Sequence, residues 1–443
     1  MLSAQFFISV VVILVVLHTM LLATAYLILL ERKVAAWTQD RIGPNRTNFS
    51  FGQGDLLEKI PGLSLLSTTK CLGLGQALAD GIKLFVKEDY TPPFVDRRLF
   101  YLGPMLAVGL AMLGWAVIPW GGTMVFGGIP SVAPLTTWFP EMLYLVEPGV
   151  ARVAVLPVSI GVIYILAISS LAVYGVVLGA YASNNKFSFL GGLRATAQML
   201  SYEIPMGTIL LMMLLWYGSA DTEVIARSQQ TVAQPWGVFV HPILACLFFT
   251  CILAECNRAP FDLAEAEQEL VGGFHTEYSS MKWALFFLGE YLHMITGSAF
   301  FVLLFLGGWS LPFFPLPEVA GVLGGGGFGE VLATLGLVLL KFGIYAFKVF
   351  LCLFVMMWVR WTLPRFRFDQ LMRLAWQGMI PFTLISLMVV GVLVYLGVEF
   401  WPIYTVAELI TAAIVLLVSQ KLLPEGPKVN RKIPLEGSRF SPA

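Results

Sequence analysis

Nine apolar stretches, each about the length of a helix that crosses a bilayer, recur along this 443-residue chain. They run roughly over 6–30, 99–120, 153–182, 195–217, 237–256, 283–310, 331–360, 379–397 and 404–421. Lipid offers the backbone no hydrogen-bond partner, so apolar stretches of this length must fold as helices. The expected fold is all-α: a polytopic membrane protein with about nine transmembrane helices, and amphipathic or short helices in its loops. Composition agrees, with 58% hydrophobic and 12% charged residues against about a quarter charged in soluble domains. Lysine plus arginine and aspartate plus glutamate are 27 each, so no basic excess points to nucleic acid. The five cysteines form no CxxC pair, which argues against a zinc or iron–sulfur site.

Loop charge sets the expected orientation. Segments 31–98, 183–202, 257–281, 362–378 and 423–443 hold 20 of the 27 lysines and arginines, while the opposite loops hold only Arg152 and Arg227. The positive-inside rule then puts the N-terminus outside and the C-terminus in the cytoplasm. Residues 1–6 carry no positive charge and the first apolar run is long, so it is expected to stay in the membrane rather than be cleaved. The chain reads as one membrane domain over 1–443, with three polar cytoplasmic segments: 31–98, an acidic loop over 257–281, and a tail over 423–443. The outer loops at 121–152 and 311–330, rich in glycine, proline and aromatics, read as caps without chemistry.

The polar loops have structure of their own. In Leu72–Asp89, Leu74, Ala77, Leu78, Ile82 and Phe85 fall at helical spacing, and Gln76, Asp80, Lys83 and Lys87 line the opposite stripe. Such a helix suits a membrane interface, a partner or the bundle itself. In the acidic loop, Asp262 with Glu265 three residues on resembles a capping box and Gly272–Gly273 a stop, predicting a helix over 263–271. Glu255, Asp262, Glu265, Glu267, Glu269 and Glu277 put six carboxylates within 23 residues, opposed there by Arg258.

Ionisable side chains at membrane depth are costly and usually functional. Glu290 lies eight residues past Lys282, about 12 Å into its span. His293 shares its face. Glu203 lies at similar depth beside Pro205, whose ring frees a carbonyl. Lys341 lies near mid-membrane, with Tyr345 and Lys348 on one face. A file of carboxylates from an acidic loop into the bilayer is what proton conduction needs, because desolvation brings carboxyl pKa values toward neutral. Each could instead be a buried ion pair that fixes helix register. His18 and His293 could share a depth, but no two histidines share a span, so nothing organises a haem. Serine-nucleophile, P-loop and dinucleotide motifs are absent, as is an internal repeat of the transporter kind.

Five segments carry a specific resemblance: ERKVAAWTQDRIGPNR (31–46), LADGIKLFVKED (78–89), SYEIPMG (201–207), AECNRAPFDLAEAEQELVGGFHTEYSSMKWALFFLGEY (254–291) and WVRWTLPRFRFDQLM (358–372). They are similar to the family of membrane H subunits of bacterial NADH:quinone oxidoreductase, respiratory complex I, whose mitochondrial counterpart is subunit 1. The resemblance implies a subunit of a proton-translocating enzyme of the bacterial cytoplasmic membrane, without a redox centre of its own. It would contact peripheral-arm subunits that carry iron–sulfur clusters and FMN, and small membrane and antiporter-like subunits. Its substrate would be a quinone. By motif position, Glu203, Glu255, Asp262, Glu265, Glu267, Glu269, Glu277 and Glu290 would form a proton path with Asp80 near its mouth. Arg32, Arg41, Phe287, Tyr291 and Arg365 would line the quinone chamber. No metal ligand is implied.

The chain departs from the family pattern in places. Residues 47–72 are longer than usual, GEYLH stands where AEYAN is usual, Cys256 replaces a threonine, and the ninth span exceeds the mitochondrial form. Lys341 has no family counterpart. The alternatives are the homologous subunit of an energy-converting hydrogenase or formate hydrogenlyase, a stand-alone ion transporter, or a structural anchor.

Overall fold

A computed structural model describes residues 3–47, 73–126, 129–130, 144–146, 149–231, 234–312 and 328–422. In chain order the helices are α1 (Ala4–Thr38), α2 (Gln76–Val86), α3 (Arg97–Gly114), α4 (Gly161–Ala182), α5 (Lys186–Tyr217), α6 (Thr222–Ser228), α7 (Gly237–Val240), α8 (Pro242–Glu255), α9 (Glu267–Leu270), α10 (Ser280–Phe305), α11 (Phe328–Thr362), α12 (Phe368–Arg373), α13 (Ile380–Tyr395) and α14 (Trp401–Leu422). Among the described residues, eight helical stretches are long and apolar enough to cross a membrane. The chain is an all-α, multi-pass membrane protein. The expected fifth span is two pieces, α7 and the 14-residue α8, broken at His241 because Pro242 can start a helix but not continue one.

Several expected boundaries move. Residues 153–160 are not helical: Val153 pairs with Trp120 and Gly122 through backbone bonds of 3.0 and 2.7 Å, and Pro157 precedes the true helix start at Gly161. Helix α5 starts at Lys186, nine residues before the expected 195, because Asn185 caps it by accepting from Phe187 N at 2.9 Å. The helix expected over 263–271 shrinks to Glu267–Leu270. Asp262 does not cap it; its carboxylate accepts from Arg365 Nη2 at 2.7 Å, and an ion pair outweighs a solvated cap. The 121–152 cap contains two small antiparallel pairings, Thr123–Phe126 (β1) with Gly149–Arg152 (β4) and Ile129–Pro130 (β2) with Tyr144–Val146 (β3). The tail at 423–443, most of the 311–330 cap and the first-loop segment 48–72 lie outside the described residues.

Helix α10 is the hub, packing on α1, α3, α8 and α11. It is apolar nearly all round, as a helix enclosed by others must be. Helix α1 is peripheral: Ile8, Val12, Val16, Met20, Leu27 and Glu31 form a buried stripe, while Leu14, Val15 and Leu22 face outward. Helices α3 and α4 touch at backbone distance. A Cβ on Gly103 would sit 2.8 Å from Gly179 Cα, and one on Gly175 would sit 2.8 Å from Ala107 N. Close approach through small residues drives helix association in lipid, where apolar burial alone gains little.

Two deep charged groups cap helices at the end of the bundle remote from the acidic loop. Lys348 donates to the carbonyls of Leu306, Gly308 and Ser310 at 2.7, 2.9 and 2.5 Å, closing the C-terminus of α10. Glu408 of α14 accepts from Leu244 N at 2.6 Å and pairs with His241 Nδ1 at 3.1 Å, closing the N-terminus of α8. Replacing Gly175 with leucine is expected to separate α3 from α4 and abolish accumulation of the protein in membranes. Unchanged yield and an unchanged melting curve in mild detergent would refute that packing.

Candidate functional site

The acidic loop folds against α3, α4 and α5. Gly191 of α5 allows this: a Cβ there would meet Phe274 N at 2.7 Å and Ala264 O at 2.9 Å. Ser188 Oγ donates to Phe274 O at 2.8 Å, and the Tyr278 hydroxyl donates to Phe100 O and Gly179 O at 3.2 and 3.1 Å. Gln198 of α5 donates to Ala254 O at 2.7 Å and to Asn257 Oδ1 at 3.2 Å. Asn257 takes a left-handed backbone (φ 49°), which asparagine tolerates better than most residues. That turn aims Arg258 inward.

Arg258 is only 3% exposed. It pairs with Glu31 and with Glu290 at 3.5 Å each, and its guanidinium lies over the Tyr291 ring at 4.3 Å. Burial alone would lower its pKa; Glu31, Tyr291 and Glu290 outweigh that and raise it. Glu31, 6% exposed, also accepts from Tyr291 and from Arg360 of α11. Glu290 shares a hydrogen bond with Glu265, which pairs with His275 Nε2 at 3.5 Å. Asp262 pairs with Arg365 alongside. Glu31, Arg258, His275 and Arg360 are thus members of the network that sequence reasoning did not select. Their signal was weak: Glu31 sits on the buried stripe of α1, but an apolar helix does not reveal which stripe is buried.

Two loop carboxyls are driven apart. Burial and the Glu265 charge raise Asp262 to about 6 despite Arg365. For Glu265, burial pushes upward, but the His275 hydrogen bond and the charges of His275, Arg258 and Arg360 overrule it and hold it near 2. Environments that separate neighbouring carboxyls in this way divide donor from acceptor roles.

One wall of this network opens on a cavity of about 580 Å³ between α1, α2, α10 and α11. Arg32, Arg41, Phe287, Tyr291 and Asp80 line it, with Glu31 and Arg360. Asp80 pairs with Arg32 at 2.9 Å on this wall. Arg365 does not line the cavity; it is held by Asp262 and Gln268. Helix α2 buries no side chain, and Leu78, Ile82 and Phe85 are exposed.

Deeper in the bundle, Glu203 and Glu255 line a second, small cavity with Ser169, Ser170 and Cys251. Ser170 donates to Glu203 and Ser169 bonds Glu255. The remaining loop carboxylates stand apart. Glu277 accepts from Asn185 Nδ2 at 2.6 Å, and Glu269, 58% exposed at its side chain, pairs with Arg194. Glu267 lies on α9.

A buried charge network beside a polar cavity, with a separate pair of carboxylates deeper in the helical bundle, is an arrangement suited to a membrane energy-coupling subunit. The comparisons narrow this. Residues 11–391 match the family model described as NADH dehydrogenase. The H subunit of the Leptospira biflexa NADH-quinone oxidoreductase is 41% identical over 385 residues, 86% of this chain and 93% of its own length. The second of the H subunits of Geobacter metallireducens NADH-quinone oxidoreductase is 39% identical over 393 residues, covering 89% and 97%. The first of those of Cytophaga hutchinsonii is 39% identical over 366 residues, covering 83% and 90%. The chain belongs to the NADH dehydrogenase family, in the branch formed by the H subunits of NADH-quinone oxidoreductase.

Two outcomes follow from the network. Arg258→Met leaves Glu31 and Glu290 buried without their shared cation, at a cost of about 3–5 kcal/mol. Its expected sign is a lowered melting temperature of the detergent-solubilised protein; an unshifted melt would refute the pairing. The folded state holds Asp262 above its ordinary 3.8, so its contribution to stability is full below that pH and is lost as pH rises through about 6. Glu265 acts oppositely, its contribution present above 4.5 and lost only as pH falls through about 2. Asp262→Asn should therefore flatten the decline in melting temperature between pH 4 and 6, and an unaltered slope would refute the assignment.

Proposed function

We propose that this chain is the membrane subunit of a proton-translocating NADH:quinone oxidoreductase in which the quinone headgroup is bound and its reduction is coupled to proton movement. The observation that carries this is a shared wall: Glu31, Tyr291 and Arg360 line the 580 Å³ cavity and belong to the buried ion-pair network. A quinone taking up electrons and protons there changes the charge against that wall. A charge change is felt strongly where water is excluded. Electrons come from an iron–sulfur cluster of a peripheral partner, and this chain supplies the chamber and the first proton carriers.

In this reading Arg32, Arg41, Phe287 and Tyr291 position the headgroup, with Asp80 holding Arg32. Arg365 sets the charge of Asp262 instead of touching quinone. Asp262, Glu265 and Glu290 take part beside Arg258, and Glu255 and Glu203 carry protons deeper toward the antiporter-like subunits. Glu277 holds the N-terminus of α5, Glu269 is a surface ion pair, and Glu267 stays a path candidate by motif alone. The basic loops face the cytoplasm, so the chamber meets the peripheral arm there, in the cytoplasmic membrane. A hydrogenase-type relative would share the carboxylates but have no quinone chemistry at the cavity.

Glu203→Gln and Glu255→Gln are expected to lower NADH-driven proton pumping in inverted membrane vesicles at least tenfold, a floor set below the roughly hundredfold or more that a positioned acid–base group usually contributes. Glu277→Gln should leave it intact, because the amide oxygen still accepts from Asn185. Normal pumping by both carboxylate variants would sink the proposed path.

A further inference from the structure

Among the described residues no hydrogen bond or ion pair joins Glu290 to Glu255, and Glu290 is held by the guanidinium of Arg258. Arg258 pairs with Glu290 at 3.5 Å and follows Glu255 by one turn of chain. Cys256, between them, feels the charges of Glu255, Arg258 and Glu290 together. A fixed positive charge opposes a proton crossing directly from one carboxylate to the other.

A second route lies alongside. A cavity of about 20 Å³ is enclosed by α3, α4, α5, α8 and α10. Its walls include Glu255 and Ser169 on one side, and His293 and Thr296 on the other. The remaining walls are apolar, among them Ala111, Ile165, Met206 and Phe300. A polar-lined space above roughly 10–15 Å³ holds a water molecule. His293 Nε2 is buried and has no hydrogen-bond partner among the described residues. A buried ring nitrogen left unsatisfied is costly, which argues that water completes it. His293 also lies one helical turn beyond Glu290, on the same face of α10.

We propose that His293 is a proton carrier that links Glu290 to Glu255 through water in this cavity, bypassing Arg258. The inference rests on the proton-path reading above. One ring nitrogen takes a proton arriving from Glu290; the other releases a proton to the cavity water, which passes one to Glu255. The carboxyl that gives becomes carboxylate and the one that receives becomes neutral, so no electron or co-reactant is involved. Imidazole suits this because its two nitrogens can be donor and acceptor at once. Among the described residues, Glu255 is the one ionisable partner facing His293 across the cavity; Ser169 and Thr296 supply hydroxyls, and α3 and α5 contribute only apolar side chains.

The test uses the assembled enzyme in inverted membrane vesicles. His293→Asn keeps a polar group that can hold the water but cannot be protonated. It is expected to lower proton pumping and NADH:quinone turnover about tenfold, less than the roughly hundredfold or more typical of acid–base groups because the water remains. It should also remove one ionisation from the pH profile of turnover and raise the solvent deuterium isotope effect. His293→Ala should recover severalfold on addition of imidazole. His293→Asn at wild-type rate, with pH profile and isotope effect unchanged, would overturn the proposal. Glu255→Gln, measured in parallel, separates the two readings: a dead Glu255→Gln beside a normal His293→Asn rejects the histidine alone. A normal Glu255→Gln rejects the path itself.

Discussion

Everything near the acidic loop depends on one buried cation. Arg258 would be too expensive to bury alone, and Glu31 and Glu290 repay that desolvation only because they come from two other helices. The requirement is geometric. The turn after α8 must be held by Gln198, α1 must present Glu31 on its inner stripe, and α10 must present Glu290 and Tyr291 on the facing surface. Satisfying a single guanidinium therefore fixes the relative positions of α1, α8 and α10 at the end where the large cavity opens. Arg360 ties α11 to the same carboxylate.

The deep charged residues then divide by task. At the far end, Lys348 and Glu408 each complete a helix terminus, and the backbone groups they satisfy account for them. This makes α14 a structural partner of α8, whose last residue is Glu255. By contrast, Glu203 and Glu255 mid-bundle have each other, serine hydroxyls and small cavities around them, and Glu290 at the near end has Glu265 and Asp262 as carboxylate neighbours. A carboxylate that shares its surroundings with another carboxylate and room for water is suited to exchanging protons, whereas a carboxylate with a fixed backbone donor is not.

Much of this was legible in the sequence. The apolar runs announced the spans, because lipid leaves a backbone no other solution. That Glu203 and Glu290 belong to long apolar helices followed from those runs, although the start assumed for the helix of Glu203 was nine residues late. Boundaries failed where local chemistry intervened, as at Pro157, at Asn185 and at the break before Pro242. The expected helix after Asp262 failed because a capping box competes poorly with a buried ion pair to Arg365, 103 residues away in sequence. Among the loop carboxylates, spacing made Glu277 and Glu269 look like Glu265, but Asn185 and Arg194 draw them outward.

The sequence by itself determined that this chain is a bundle of membrane helices with its charge gathered toward one end, since transfer of a helix into lipid depends on composition along a short window. Which charges meet was decided only by the tertiary structure. Glu31 and Arg258 lie 227 residues apart, and His293 shares a cavity with Glu255 from a different helix. In an apolar helix every face is equally fit for lipid, so the inward face is chosen by glycine contacts and buried ion pairs with other helices. Hydrophobic periodicity carries no record of that choice.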